Sequence, residues 1–502
     1  MLHSKTFSPI FTLFFVFACL SFSHAQPIHP DKAELKKLFE STNGASWNAK
    51  WDTTNNNICE WAGITCDSNQ RVSKLILPSN NLTGTLANFS LPTLESLYLH
   101  SNNITGNLPN FDLPNLKNLY LDNNKFTGTI PNYNLPELEK LYLVYNQLSG
   151  SIPNFNLPKL RELALAHNKL TGSIPDFSQL SKIRIISLSG NQLTGVLPVF
   201  ALPTLRFFDA SLNQITGTIP DYALDSLDGL NLSSNLLTGT LPLFNQTDMR
   251  ALLVANNLIS GAVPNFQNPN LNVLDIGYNL FYSTIPNFNL PKLQRFYADN
   301  NTLIGTIPDF ANTSLRYLNL SSNQLEGTIP NFQFQTMDEL NLAYNQLSGN
   351  IPPLNMPYLQ DLELQSNQLE GCIPVIFKQN CTSNTQADIS DNSLLLTQSW
   401  SDFCQNDAGI CMVNGVNSPT DNMRIAIAHN PAFDHLSVVL DNNNCYERVR
   451  YSVLNAFGQV ILTGAFDCGK TLNLDVRSLS SGAYVLAFQC GHTNLNRWFI
   501  KA

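Results

Sequence analysis

The amino-acid sequence predicts a solenoid: a right-handed, curved parallel β-sheet built one strand per coil, with a convex side nearly free of helix, followed by a small C-terminal β-sandwich. Three observations predict it. A unit of 22 residues recurs fourteen times across residues 72–371. Each unit carries L-x-x-L-x-L-x-x-N, alternating apolar residues ahead of a fixed Asn. Before residue 400 that register ends, and farther on short runs of period-two alternation replace it.

The fixed Asn first falls at Asn80. It returns at Asn102, Asn124, Asn146, Asn168, Asn191, Asn213, Asn235, Asn257, Asn279, Asn301, Asn323, Asn345 and Asn367, in steps of 22 apart from one of 23 after Asn168. Gly follows four residues later, from Gly84 to Gly371, with Ser283 the departure. Pro follows seven later, from Pro109 to Pro374, with Ala87 the departure. In L-x-L, alternate side chains point inward, so each unit supplies one short strand. Leu and Ile of one unit stack on their equivalents in the next and share one core. The Asn is expected to be buried, bonding backbone groups where the chain turns, so that the column forms a ladder. Gly permits a positive-φ path after it, and Pro keeps the return segment extended. The period and consensus resemble the leucine-rich repeat, and L-x-G-x-I-P resembles its plant-type subclass.

An aromatic recurs just after the Pro position, from Phe89 and Phe111 through Tyr133 and Tyr222 to Phe332. This column predicts an aromatic spine inside the convex side, where longer units would place a helical turn.

Solenoid ends expose core and need covers. Residues 26–71 are read as the N-terminal cap. Asp31 and Glu34 stand at N-cap and N3 spacing ahead of Leu35, Leu38 and Phe39, which predicts a helix. Trp47, Trp51 and Cys59-Glu-Trp-Ala-Gly-Ile-Thr-Cys66 follow. They resemble the W…C-x-W-x-G-V-x-C cap of plant-type repeat proteins, with Ile64 in place of Val. Residues 372–412 are read as the C-terminal cap, including a degenerate unit around Ile389–Leu396.

Residues 413–423 read as a polar linker. Beyond it, six or seven short strands from Ile425–Ala428 to Arg497–Lys501 predict the sandwich. His429-Asn-Pro-Ala-Phe-Asp-His-Leu436, Asn455-Ala-Phe-Gly-Gln-Val460, Leu479-Ser-Ser-Gly-Ala-Tyr-Val-Leu486 and Trp498-Phe-Ile-Lys501 occur in that order. Together they resemble the C-terminal sorting domain of the Por (type IX) secretion system. The resemblance implies that residues 424–502 are recognised by outer-membrane type IX machinery. It places the protein as secreted or on the outer surface of a Gram-negative bacterium.

Lys5, the apolar stretch Ile10–Leu20 and Ser23-His24-Ala25 read as a secretory signal over residues 1–25. Export favours disulfides between close cysteines. The natural pairs by spacing are Cys59–Cys66, Cys372–Cys381 and Cys404–Cys411. Cys445, Cys468 and Cys490 in the tail cannot all pair with one another. No C-x-x-C occurs and no His stands at ligand spacing from two cysteines, so no metal site is expected.

Composition narrows the partners. Charged residues are only 13% and net charge is -9. Nucleic acid and anionic membrane surfaces both require clustered Lys and Arg. Past the signal no apolar run is long enough to span a bilayer, so no transmembrane helix is expected. Gly464-Ala-Phe-Asp-Cys-Gly-Lys470-Thr471 satisfies a phosphate-loop pattern, but Leu472–Val476 alternates like a strand where that motif needs a helix. No catalytic motif and no cofactor site is expected.

The exposed positions of L-x-x-L-x-L-x-x-N are free of core duty, and ligand binding is expected there. Tyr98, Tyr120 and Tyr142 share one register, with His100, Asp122, Lys140 and Tyr145 nearby. A second group is Tyr278, Arg295, Tyr297, Asp299 and Tyr317. Tyr and Arg are enriched in interface hot spots, and aromatic faces stack on sugars and cations. The first expectation is a binding protein with a protein or adhesive partner. The alternatives are a polysaccharide on the tyrosine ladder, or a plant-like extracellular receptor-like or inhibitor protein, whose sequons such as Asn81-Leu-Thr83 also follow from the repeat consensus.

Overall fold

The computed structural model describes residues 29–310, 314–332, 334–381, 385–406, 424–428, 434–441, 448–455, 459–467, 472–490 and 493–501. The signal, the linker, Cys411, Cys445, Cys468, most of the His429 phrase and the Gly469–Thr471 end of the phosphate-loop pattern lie outside them.

L-x-L forms one short strand in every coil. The main sheet has sixteen strands, from Ile64–Cys66 to Gln386–Asp388. The first pair, Ile64–Cys66 with Val72–Ile76, is antiparallel, and the others are parallel and advance one coil per step. Inward Leu and Ile columns are fully buried and join the two caps into one core. Each such side chain contributes roughly 1.5–3 kcal/mol by leaving water. The aromatic column is buried throughout, from Phe89 to Phe332. Its rings meet their neighbours one coil on, as Phe111 and Tyr133 do at 6.1 Å between centroids.

The asparagines turn inward. Asn124 Nδ2 donates to the carbonyls of Leu99 at 2.9 Å, Leu121 at 3.2 Å and Asp122 at 3.3 Å, while its Oδ1 accepts from the Ile104 amide at 3.0 Å. The same pattern repeats through Asn367, and Asn392 continues it into the C-terminal cap. Each Asn thus satisfies both its own coil and the one before it, which would otherwise bury orphaned amides. The residue ahead of each Asn takes a left-handed φ, as Asn123 does at 53°.

Past the Asn the chain does more than turn. Gln346–Asn350, Gln368–Gly371 and their equivalents form a second set of parallel ladders beside the main sheet. Gly128 shows why glycine stands there. Its φ is 75°, and a Cβ would lie 2.4 Å from Asn107 Oδ1 of the preceding coil. Among the described residues no helix interrupts residues 72–371.

In the N-terminal cap, α1 (Lys32–Ser41) forms, but its acids do not cap it. Asp31 accepts from Arg71 Nε at 3.0 Å and from the Val72 amide at 2.9 Å, and Glu34 accepts from the Ser90 amide at 2.9 Å. Both carboxylates tie α1 to the solenoid instead. Phe39, Trp47, Trp51 and Trp61 pack together beneath it, and Cys59 is bonded to Cys66.

The C-terminal cap corrects the expected cysteine pairing. Cys381 is bonded to Cys404, across 23 residues, which overturns both Cys372–Cys381 and Cys404–Cys411. Cys372 is itself disulfide-bonded. The physical reason is α2 (Trp400–Asn406), which folds back against the last coils. Lys378 Nζ donates to the carbonyls of Phe403 and Cys404, and Trp400 packs on Phe377, which sets Cys404 beside Cys381.

The tail is a β-sandwich. Arg424–Ala428, His435–Asp441 and Leu472–Asp475 form one antiparallel sheet. Val460–Asp467, Arg448–Leu454, Gly482–Cys490 and Thr493–Lys501 form the other. Leu436, Val438 and Leu474 of the first share a core with Val453, Leu486 and Phe499 of the second. Gly464 lies inside a strand and Leu472 opens another, so this segment lacks the helix a phosphate loop requires.

Candidate functional site

Three outward-facing columns, mostly half-buried, run along the main sheet, one for each outward position of the strand pattern. Their occupants are set by register alone. Tyr98, Tyr120 and Tyr142 pair directly across Ser96–Tyr98, Asn118–Tyr120 and Lys140–Tyr142. Tyr98 and Tyr120 are 4.6 Å apart between ring centroids and inclined at 64°. Tyr120 and Tyr142 are 4.5 Å apart and stacked at 11°.

Charge is clamped at one end of this ladder. Glu162 accepts from the Tyr142 hydroxyl at 2.5 Å through one oxygen and meets Lys140 Nζ at 2.9 Å through the other. Burial pushes the Glu162 carboxyl up, but Tyr142 and Lys140 outweigh it and hold it below the usual range. The same contacts raise Lys140, and burial with the Glu162 hydrogen bond raises the Tyr142 phenol. The cluster is therefore ionised as a Lys–Glu pair with a neutral phenol beside it.

The other members of the first group spread to neighbouring columns. Tyr145 is 54% exposed and stacks on His167 at 4.3 Å and 2°. His100 Nδ1 lies 3.3 Å from Ser101 Oγ. Asp122 accepts from Asn123 Nδ2 at 3.0 Å. The sequence reading missed Glu162 and His167. Both stand 22 residues after a residue it had named, Lys140 and Tyr145, so the repeat step itself carried the signal.

The second group is largely occupied with itself. The Arg295 guanidinium lies 5.0 Å from the Tyr317 ring centroid, on paired positions of adjacent strands. Tyr297 pairs in register with Asp275, and Asp299 is buried and accepts from Asn300 Nδ2 at 2.9 Å. Tyr278 is 54% exposed. Burial, with the charge of Asp299, raises Asp275 to about 6. Asp209 accepts from the amide and hydroxyl of Ser211 at 3.0 and 2.7 Å. Among the described residues no group of three or more His, Cys, Asp or Glu could hold a metal ion, and no helix is long and apolar enough to cross a membrane.

Family models describe the two parts of the chain. Leucine rich repeat models match residues 136–193 and, separately, 93–111, 115–133 and 314–334. A secretion system C-terminal sorting domain matches residues 427–502. No curated protein matches the chain. Among solved structures it is similar to the Arabidopsis receptor kinase HAESA, solved with the peptide hormone IDA and the co-receptor SERK1, at 27% identity over 72% of this chain and 77% of that one, TM-score 0.47. It is similar to a plant ice-binding protein at 24% identity over 60% and 89%, TM-score 0.41. It is also similar to an internalin of Listeria monocytogenes at 27% identity over 50% and 81%, TM-score 0.39.

Proposed function

The chain is a leucine-rich repeat protein that carries a secretion system C-terminal sorting domain, and on that premise we propose that it is an extracellular, non-enzymatic binding protein whose main sheet face holds a protein partner. The observation that supports this most is the tyrosine ladder. Leu, Asn and Phe columns are committed to holding coils together, whereas Tyr98, Tyr120 and Tyr142 bind no core yet stand stacked and half-exposed. Stiff rings with few rotamers lose little entropy on binding, which suits an interface anchor. Glu162 has both oxygens engaged, which leaves less hydrogen-bonding capacity for a sugar and favours a protein. Residues 424–502 would direct the chain through type IX machinery to the surface or beyond.

Capture of extracellular proteins by the full chain, compared with its Tyr120→Ala variant, tests the face. A partner held by the wild type and released by the variant is expected; equal capture by both overturns it. Mass spectrometry of the exported protein tests the route. A mature species lacking the tail supports sorting, and attached N-glycans would overturn it.

A second reading is favoured by the other ladders. From Thr83 to Ser260 every coil places Thr or Ser three residues after its Asn, and neither that column nor the one two residues on carries a charge. The hydroxyls are pinned, as Thr105 Oγ1 donates to the Gly84 carbonyl at 2.7 Å and Thr216 Oγ1 to Gly195 at 3.1 Å. The Thr218 methyl, in the column two residues on, lies close over Gly239, where an added Cβ would stand 2.7 Å from Thr218 Cγ2. Coils repeat at about 4.8 Å. Tetrahedral water bonded at about 2.75 Å sets second-neighbour oxygens about 4.5 Å apart. Such a grid suits adhesion to ice. Slower ice recrystallisation with the full chain, lost in Thr216→Lys, is expected; no effect of the wild type disposes of this reading.

A further inference from the structure

The face of the second ladders is patterned from end to end. Each coil points three side chains outward there, one, three and five residues after its Asn, while the apolar residue between the first two is buried. Over fourteen coils those positions hold four charged residues. Lys125 and Lys169 stand in the earlier half, Glu326 and Glu370 in the later half. All four are exposed, and none makes an ion pair among the described residues. The six coils between Lys169 and Glu326 carry no charge on this face.

Apolar surface fills the centre. Leu236, Leu258 and Leu280 repeat on successive coils, Tyr282 follows on the strand Leu280–Ser283, and Ile304 comes one coil on. Each is about half exposed, from 46% at Ile304 to 58% at Tyr282. Neighbouring coils lie about 4.8 Å apart and alternate residues of a strand about 6.8 Å, so these five side chains form a single stripe. A continuous exposed apolar stripe marks a contact surface.

The order of the charges says what covers it. Counted in coils from the midpoint between Asn235 and Asn257, Lys169 and Glu326 lie equally far on either side, and so do Lys125 and Glu370. Leu236 and Leu258 straddle the same midpoint. A face that reads the same from both ends with its charges reversed is complementary to itself about a twofold axis. A second copy turned about an axis along the strands at that point sets Leu236 on Leu258 twice. It also brings each Lys169 opposite the coil of Glu326 and each Lys125 opposite that of Glu370. A net charge of -9 keeps copies apart elsewhere, whereas here all four charged contacts attract. The charge-free centre, six coils deep and five residues wide, offers on the order of 800 Å² of accessible surface, the share one partner brings to a stable interface.

We propose that the chain pairs with a second copy of itself through this face, in a twofold dimer centred on Leu236 and Leu258. The main sheet face takes no part, so each copy keeps its tyrosine ladder free and a dimer presents two. This goes beyond the protein-partner reading and does not depend on it. Paired copies cover Thr216 and Thr238, so pairing and ice adhesion compete for the same side chains.

Sedimentation velocity on the full, oxidised chain is expected to show a dimer whose share rises with concentration. Leu258→Glu sets two carboxylates against the apolar centre and is expected to weaken pairing about a hundredfold. Lys169→Glu or Glu326→Lys alone turns two attractive contacts repulsive and is expected to weaken it about tenfold. Both side chains are exposed and unpaired within the chain, so neither change disturbs the fold. The double variant Lys169→Glu/Glu326→Lys inverts the order of the charges, keeps the complementarity and restores pairing. A wild type that stays monomeric at roughly 100 μM overturns the proposal, as does a dimer indifferent to Leu258→Glu. A double variant that pairs no better than either single one overturns the twofold arrangement, and the proposal with it.

Discussion

Tyr142 donates its hydroxyl proton to Glu162 one coil away, at 2.5 Å, and so joins the last ring of the ladder to the Lys140–Glu162 ion pair. Tyr142→Phe keeps the ring and removes the donor. A hydrogen bond to a charged group contributes about 1.5–3 kcal/mol, and partial exposure reduces this to about 1 kcal/mol. Urea unfolding is expected to show that loss. Because Glu162 titrates below its ordinary 4.5, the stabilisation is present above that pH and disappears as pH falls through the lowered value. Wild type and variant should converge in acid.

Asp275 gives the opposite pH dependence. Its carboxyl titrates at about 6, against an ordinary 3.8, because burial and Asp299 disfavour the anion. The folded state therefore loses stability as pH rises from 3.8 to about 6, and the cost persists above. Asp275→Asn is expected to gain about 1 kcal/mol at neutral pH, after discounting for a half-buried site, and nothing in acid. Denaturation midpoints at both pH values check the sign.

Asn257→Ala removes an acceptor for the Leu237 amide and donors for the carbonyls of Leu232 and Val254. Orphaning such buried groups costs about 1–3 kcal/mol each, so a loss of about 3 kcal/mol is expected. In a solenoid each coil touches only its neighbours. Hydrogen exchange should accelerate in the coils beside residue 257 and leave the ends unchanged.

Cys404→Ser should release α2 from the last coils. Closing a loop of this length contributes about 3 kcal/mol. A non-reducing digest of the wild type is expected to link the Cys381 peptide to the Cys404 peptide. Proteolysis of the variant should begin near residue 400.

The coils were legible from sequence because a repeat is a one-dimensional object. Once Asn124 and Asn146 are aligned, every strand register follows, and with it Tyr98 above Tyr120 above Tyr142. The caps were not legible in the same way. Cys381 lies nine residues from Cys372 and 23 from Cys404, yet α2 makes the farther cysteine the nearer one in space. Asp31 and Glu34 had the spacing of caps, but Arg71 and the Ser90 amide competed for them successfully. The second ladder is hidden in the sequence, since Leu-Thr-Gly-Thr carries turn residues and its partners are a full coil distant. Glu162 and His167 escaped notice for that reason too: their contacts are vertical, and a single unit does not display them.

The Cys381–Cys404 bond has a bearing on assembly. It fastens α2 to the segment just ahead of Gln386–Asp388, which with Ile64–Cys66 forms the two edges of the main sheet among the described residues. A chemical reductant would let α2 peel away and bare a hydrogen-bonding rim. The opposite edge, Ile64–Cys66, is held by the Cys59–Cys66 bond and would be loosened by the same reductant. Reduced protein should therefore associate through its strand edges, and oxidised protein should not.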